Sequence, residues 1–174
     1  MDMNYKELFI DITTVVLDVD GVLTNGEILL VPGAQPVRKM HSKDGYALQL
    51  AIRNGIRVAI ITGGSSPEVK TRLESAGIKD IYLGASNKID AYDDLKMCYD
   101  LKDEEILYMG DDLPDYDVMN LVRLAAAPQD AAPEIKAIAH YVSPINGGEG
   151  CVRDVLEQLL KIQGKWGRPQ DRTW

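Results

Sequence analysis

Three short apolar runs, each leading directly into a cluster of polar residues, constrain this chain more than any other feature. Val15-Val16-Leu17 leads into Asp18-Val19-Asp20-Gly21-Val22-Leu23-Thr24, Val58-Ala59-Ile60-Ile61 into Thr62-Gly63-Gly64, and Ile106-Leu107-Tyr108-Met109 into Gly110-Asp111-Asp112-Leu113-Pro114-Asp115. Unbroken apolar runs of this length are what strands buried on both faces of a parallel sheet look like. Open α/β sheets bind their ligands in the crevice at the carboxyl ends of such strands. The two aspartate clusters, the Thr62 hydroxyl and Lys88 are therefore expected to meet at one sheet edge. Five carboxylates crowded there would repel one another unless a hard cation such as Mg²⁺ lay among them. A lysine and a threonine in the same place suit a phosphate, so the residues point to magnesium-dependent phosphoryl transfer.

Helical patterns alternate with the apolar runs. Helices are expected over Lys43 to Asn54, closed by Gly55, from Pro67 to about Gly77, from Lys88, after Pro114, near Pro133, and from Val152 to Ile162. Strands are expected at Thr13 to Asp18, Ile56 to Ile61, Asp80 to Leu83, Ile106 to Met109, Arg123 to Ala126 and His140 to Val142. Pro67 stands at a first helical position, where its missing N–H costs nothing. Repeated strand–helix–strand units predict an α/β fold, a three-layer Rossmann-like, mostly parallel sheet with helices on both faces. One segment breaks the alternation. Glu27 to Val31, then Pro32-Gly33-Ala34-Gln35-Pro36, then Val37 to His41 reads as a β-hairpin inserted after the first strand. It is too small for a cap domain, and its apolar strand needs a partner, which another subunit would supply.

At 174 residues the chain is sized for one domain, expected over 1–163, followed by a tail over 164–174. That tail holds Trp166, Trp174 and Pro169 without periodicity and reads as a frayed terminus, or alternatively as a cover for a neighbour's site. A hydrophobic share of 45% supplies a full core. The net charge of −8 argues against nucleic-acid or anionic-membrane partners. Cys98 and Cys151 form no CxxC pair and read as buried free thiols in a reducing compartment. The polar N-terminus shows neither a signal peptide nor a membrane span, so a cytoplasmic protein is expected.

Asp-x-Asp-Gly-Val-Leu-Thr, the later Thr-Gly, the lone lysine and Gly-Asp-Asp-x-x-Asp, in that order from Val15 to Leu160, resemble the haloacid dehalogenase superfamily of phosphatases. The small size and the hairpin in place of a cap resemble its capless branch. Asp44-Gly45 and Gly147-Gly148-Glu149-Gly150-Cys151-Val152-Arg153-Asp154 are similar to the 3-deoxy-D-manno-octulosonate 8-phosphate phosphatases, which usually carry alanine where Cys151 stands. The resemblance implies an aspartyl-phosphate enzyme, a homotetramer and a phosphorylated sugar acid as substrate.

Under that resemblance Asp18 is the nucleophile, splitting one displacement into two easier steps. Asp20, two residues on in extended chain, points to the same side and serves as general acid and base. Thr62 donates to a phosphoryl oxygen, and Lys88 neutralises nucleophile and phosphate. The Mg²⁺ ligands implied are the Asp18 carboxylate, the Asp20 backbone carbonyl and Asp111, with Asp112 and Asp115 orienting waters or Lys88 from behind. Gly63, Gly64, Arg72 and Arg153 are candidates for substrate binding, either arginine meeting a substrate carboxylate. His41 and His140 have no ligand-spaced partner and read as structural. The run from Gly147 to Gly150 fits an anion-binding turn or a plain flexible entry to the last helix. Three alternatives stay open: a nine-carbon 3-deoxy-ulosonic acid 9-phosphate as substrate, a non-catalytic domain of the same fold, and a receiver-type phosphoacceptor. The nine-carbon relatives tend to carry glutamate where Gly64 stands, which favours the eight-carbon sugar. The paired aspartates after the first strand argue against the other two.

Overall fold

A computed structural model describes residues 5–33 and 36–173 of the chain. Six strands form one sheet: β1 Thr14–Leu17, β2 Arg57–Ile61, β3 Asp80–Tyr82, β4 Ile106–Met109, β5 Leu124–Ala127 and β6 Tyr141–Val142. All neighbouring pairs are parallel and the order is β3-β2-β1-β4-β5-β6. The connectivity changes direction between β1 and β4, and a crevice opens at such a switch point. The register aligns Leu17 with Ile60 on one side and with Met109 on the other. Asp18, Thr62 and Gly110 therefore begin at nearly one level.

The helices are α1 Tyr5–Leu8, α2 Ser42–Arg53, α3 Pro67–Ser75, α4 Lys88–Tyr99, α5 Tyr116–Met119, α6 Pro133–Ile138 and α7 Cys151–Ile162. Strand alternation divides the apolar side chains between two layers. Val15, Leu17, Val58, Ile60, Leu107 and Met109 pack with α2, α3 and α7, while Val16, Ala59, Ile61, Ile106 and Tyr108 pack with α4, α5 and α6. The predicted strands and helices all form, with ends shifted by a residue or two. The helix after Pro114 is only four residues, and α1 was not foreseen, although Phe9 just beyond it is fully buried.

One expectation is met in reduced form and two are corrected. The hairpin after β1 shrinks to a single antiparallel pair, Leu29 with Val37, joined by hydrogen bonds of 3.1 and 3.0 Å. An isolated two-stranded ribbon is marginal in water, and Ile28, Leu29, Leu30 and Val31 remain exposed. Its expected turn includes Ala34 and Gln35, which lie outside the described residues. The tail is not frayed. Trp166 packs on the core, Arg153 lies 4.4 Å over its ring, and Arg53 donates to the Thr173 carbonyl at 3.2 Å. The Tyr46 hydroxyl donates to the Asp171 carbonyl, so the tail closes on α2 and α7 of its own chain. Cys98 is exposed rather than buried, because it falls on the outer face of α4. Among the described residues, no helix is long and apolar enough to cross a membrane.

Asp44 ties the first and last large helices together. It is buried in α2, and its Oδ1 accepts from the Arg153 backbone N–H at 2.6 Å, satisfying one of the unpaired donors in the first turn of α7. Burial pushes its carboxyl up to about 6. A carboxyl raised above its unfolded value stabilises fully below the unfolded pKa and less as pH rises through the folded one. Asp44→Ala should cost about 1–2 kcal/mol of stability. The gap between the native chain and this variant should be wider at pH 5 than at pH 8 in urea unfolding. A gap that widened with pH would refute the assignment.

Candidate active site

The site assembles where β1, β2 and β4 end. The backbone N–H of Asp18 donates to the Met109 carbonyl, which extends the β1–β4 pairing one residue and fixes where the carboxylate leaves the sheet. Asp18 Oδ1 accepts from the Val19 N–H at 2.7 Å, and Oδ2 pairs with Lys88 Nζ at 2.9 Å. Lys88, the first residue of α4, is itself buried and also meets Asp115 Oδ1 at 2.7 Å. Asp115 is further held by the Tyr108 hydroxyl at 2.6 Å and by the Asp111 backbone N–H at 3.2 Å. One ammonium thus bridges two carboxylates in a place almost closed to water.

Glycine makes this crowding possible. Gly21 has φ +92°, and a Cβ there would fall 1.9 Å from Asp111 Oδ2. Gly147 packs against the same loop, and a Cβ on it would fall 1.9 Å from the Gly21 carbonyl oxygen. The Gly148 N–H then donates to the Val22 carbonyl. The glycine run before α7 therefore serves close packing against the loop after β1.

Asp18, Asp111 and Asp115 each place a carboxylate oxygen within 4.8 Å of the other two. Asp115 already receives donors from Lys88, Tyr108 and Asp111, which suits it to orienting Lys88. Asp18 and Asp111 have capacity left for a cation. Burial, then Asp115, push the Asp18 carboxyl up to about 6, with Lys88 opposing. Burial, then Asp18 and Asp115, push Asp111 up to about 7. Carboxyl groups raised by burial and mutual repulsion are what a hard divalent ion would relieve, and oxygen donors at this spacing fit one.

Thr62 is buried at the end of β2. Its Oγ1 accepts from the Gly64 N–H at 3.2 Å, which leaves the hydroxyl proton for a ligand oxygen. Gly63 and Gly64 form the turn beyond it, and the Gly64 carbonyl accepts from the Gly84 N–H. Asp20 is part-exposed. Its Oδ1 accepts from the Thr24 hydroxyl at 3.3 Å, and the Arg38 fork spans both its oxygens at 2.7 and 3.1 Å.

Other candidates sit apart from this centre. Asp112 is exposed and caps the turn at Leu113–Asp115 by accepting from the Leu113 N–H at 2.8 Å. Arg72 lines a cavity of about 510 Å³ beside the site, together with Arg38 and Glu68. Arg153 is engaged by Glu157 at 2.9 Å and by Trp166, and it does not line that cavity. His140 accepts from the Ala125 N–H through Nδ1 at 3.0 Å, and burial pushes its pKa down, both consistent with a structural histidine. His41 precedes α2, with Nδ1 buried. Sequence reasoning passed over Arg38 and Tyr108. A tyrosine inside the apolar run of β4 was the available signal, since a buried hydroxyl needs a partner.

Comparison with known proteins places the chain in a family. A family model described as haloacid dehalogenase-like hydrolase matches residues 74–155. The 3-deoxy-D-manno-octulosonate 8-phosphate phosphatase KdsC of Escherichia coli K12 is 41% identical over 155 residues, 89% of this chain and 82% of that protein. The chain belongs to the haloacid dehalogenase-like hydrolases. Among solved structures of this family, the 3-deoxy-D-manno-octulosonate 8-phosphate phosphatase of Yersinia pestis superposes with a TM-score of 0.91 at 36% identity, covering 93% of this chain and 88% of that one. The corresponding Moraxella catarrhalis enzyme, solved with a magnesium ion, a phosphate ion and a KDO molecule, gives 0.90 at 30% identity and covers 93% of both chains. The six-stranded parallel sheet and the order of motifs are those of a phosphatase of this family.

The raised carboxyls give a signed prediction. Their contribution to stability is full below pH of about 4 and is lost as pH rises through 6 and 7. Without a divalent cation, the melting temperature should fall between pH 5 and pH 8. Added Mg²⁺ should raise it at pH 8 and barely change it at pH 5. Equal stabilisation at both values would contradict a site built from these carboxylates.

Proposed function

We infer that this chain is a Mg²⁺-dependent phosphate-monoester hydrolase acting on 3-deoxy-D-manno-octulosonate 8-phosphate through an aspartyl-phosphate on Asp18. The observation that carries the reading is the Asp18 carboxylate at the switch point, paired at 2.9 Å with a buried lysine and within 4.8 Å of Asp111 and Asp115. Bound at Asp18, the Asp20 carbonyl and Asp111, Mg²⁺ would offset the negative charge shared by nucleophile and phosphate.

In the first step an Asp18 oxygen attacks phosphorus, the bond from phosphorus to the sugar oxygen breaks, and Asp20 supplies the proton that oxygen needs. In the second, a water oxygen attacks phosphorus, Asp20 takes the water proton, and the bond to Asp18 breaks to restore its carboxylate. Thr62 Oγ1 and Lys88 Nζ hold the phosphoryl oxygens through both steps, and Asp115 with Tyr108 keeps Lys88 aimed. An acid near the leaving oxygen is needed because a sugar alkoxide is a poor leaving group.

The identity of the sugar draws on the relatives' substrate and on Gly64, which leaves the wall beside Asp20 and Thr62 without a side chain. Self-association into a tetramer is supported by the exposed apolar arm of Ile28, Leu29, Leu30, Val31 and Val37. A cytoplasmic setting accords with two free cysteines and with the absence, among the described residues, of a helix able to cross a membrane.

Phosphate release from the eight-carbon ester and from its nine-carbon analogue, with Mg²⁺ and with a chelator, tests the reading. The eight-carbon ester should be turned over in preference, and only with the metal. Equal or reversed preference would overturn the substrate assignment, and no release from either would overturn the activity. Asp18→Asn should lower turnover on the order of a thousandfold or more while leaving the melting temperature near that of the native chain.

A further inference from the structure

Arg38 is the one cationic side chain that reaches both the catalytic centre and the cavity beside it among the described residues. It comes from the arm after β1, one residue beyond the Leu29–Val37 pair that is the arm's only strand pairing. Its Nε donates to Asp20 Oδ1 at 2.7 Å and its Nη2 to Asp20 Oδ2 at 3.1 Å, with only 12% of the side chain exposed. The same residue lines the cavity of about 510 Å³ that Arg72 borders from α3.

A carboxylate held on both oxygens by a guanidinium fork cannot swing to a leaving oxygen without breaking one of those bonds. The fork accepts any planar anion of the same shape, so a carboxylate on a ligand in the cavity can compete with that of Asp20 once the rest of the ligand is held. Arg38 and Arg72 both line the cavity, so its lining carries two cations against the one carboxylate of Glu68. Glu68, its acidic lining residue, is already bound by the Ser66 hydroxyl at 2.8 Å. Gly64 adds no side chain to hinder the exchange, since a Cβ there would lie 3.6 Å from Asp20 Oδ2 and 3.8 Å from Arg38 Nη2.

We propose that Arg38 is a positioning and specificity residue that changes partner, holding Asp20 in the free enzyme and passing to a carboxylate carried on the substrate. Asp20 is then released, takes up a proton from solvent and reaches the leaving oxygen as its acid. This rests on the phosphatase reading above. A substrate with a carboxylate replaces one ion pair by another. A phosphate ester without a carboxylate must break the Arg38–Asp20 pair with no second anion to replace it, and is disfavoured for that reason.

The test compares kcat and KM for 3-deoxy-D-manno-octulosonate 8-phosphate with those for glycerol 3-phosphate, an alkyl phosphate without a carboxylate. Native chain, Arg38→Ala and Arg38→Lys are measured, each with its melting temperature. Arg38→Ala should raise KM for the sugar acid about tenfold or more and raise kcat/KM for glycerol 3-phosphate, collapsing the preference. Arg38→Lys should fall between the two, because a point charge lacks the fork. Equal losses on both substrates in Arg38→Ala would overturn the proposal, leaving Arg38 a structural brace. If Arg38→Ala fails to fold, an unchanged preference in Arg38→Lys overturns it. If the native chain hydrolyses glycerol 3-phosphate but not the sugar acid, the substrate reading fails by itself. The rise or fall of Arg38→Ala on glycerol 3-phosphate then still decides the exchange.

Discussion

The ammonium of Lys88 between Asp18 and Asp115 is the interaction on which the rest of the site depends. Removing charges from water is costly, and an unpaired buried carboxylate would protonate rather than serve as a nucleophile. Lys88 offsets that cost for two carboxylates at once, at 2.9 and 2.7 Å. Its backbone is fixed because Asn87 caps α4 by accepting from the Ile89 N–H. Asp115 is fixed by Tyr108, whose ring lies in the core between the sheet and α4 to α6. Catalytic geometry and core packing are thus continuous.

That continuity explains the glycines. Four charged groups can share a small volume only if the backbone around them takes little room. Gly21 yields space to Asp111, and the loop before α7 presses its own glycines against Gly21 and Thr24. Asp44 then secures α7 to α2, so the loop that shapes the site is anchored from behind by a buried capping bond. A change in the last helix would in this way reach Asp18 without touching it.

The cavity side of the site is built differently. The centre is rigid and enclosed, whereas the arm carrying Arg38 is held by one strand pair and presents apolar side chains to solvent. The candidate site's enclosed groups fall on strand ends, and under the proposal for Arg38 selection among substrates would fall on the loosely held element beside them. Loops set on a rigid scaffold commonly divide the work in this way.

The sheet and the strand-end placement of Asp18, Thr62 and Asp111 are legible in the sequence alone, while the pairing of Lys88 with that cluster came from the resemblance of the motif order. Unbroken apolar runs encode buried parallel strands, and the residues that follow them must emerge at one edge. The sequence also set the closing helix, whose apolar stripe from Val152 to Leu160 admits one packing face. Which carboxylate meets which donor depends on how distant segments pack. Asp112 and Asp115 are three residues apart and similar on paper, yet one caps an exposed turn and the other is locked on Lys88 and Tyr108. The hairpin forms where the sequence places it, but its shortness is not legible, because alternation along a strand does not reveal whether anything lies beside it. The docking of Trp166 and the Arg38 fork on Asp20 were invisible for the same physical reason: contacts between distant segments leave no local periodicity.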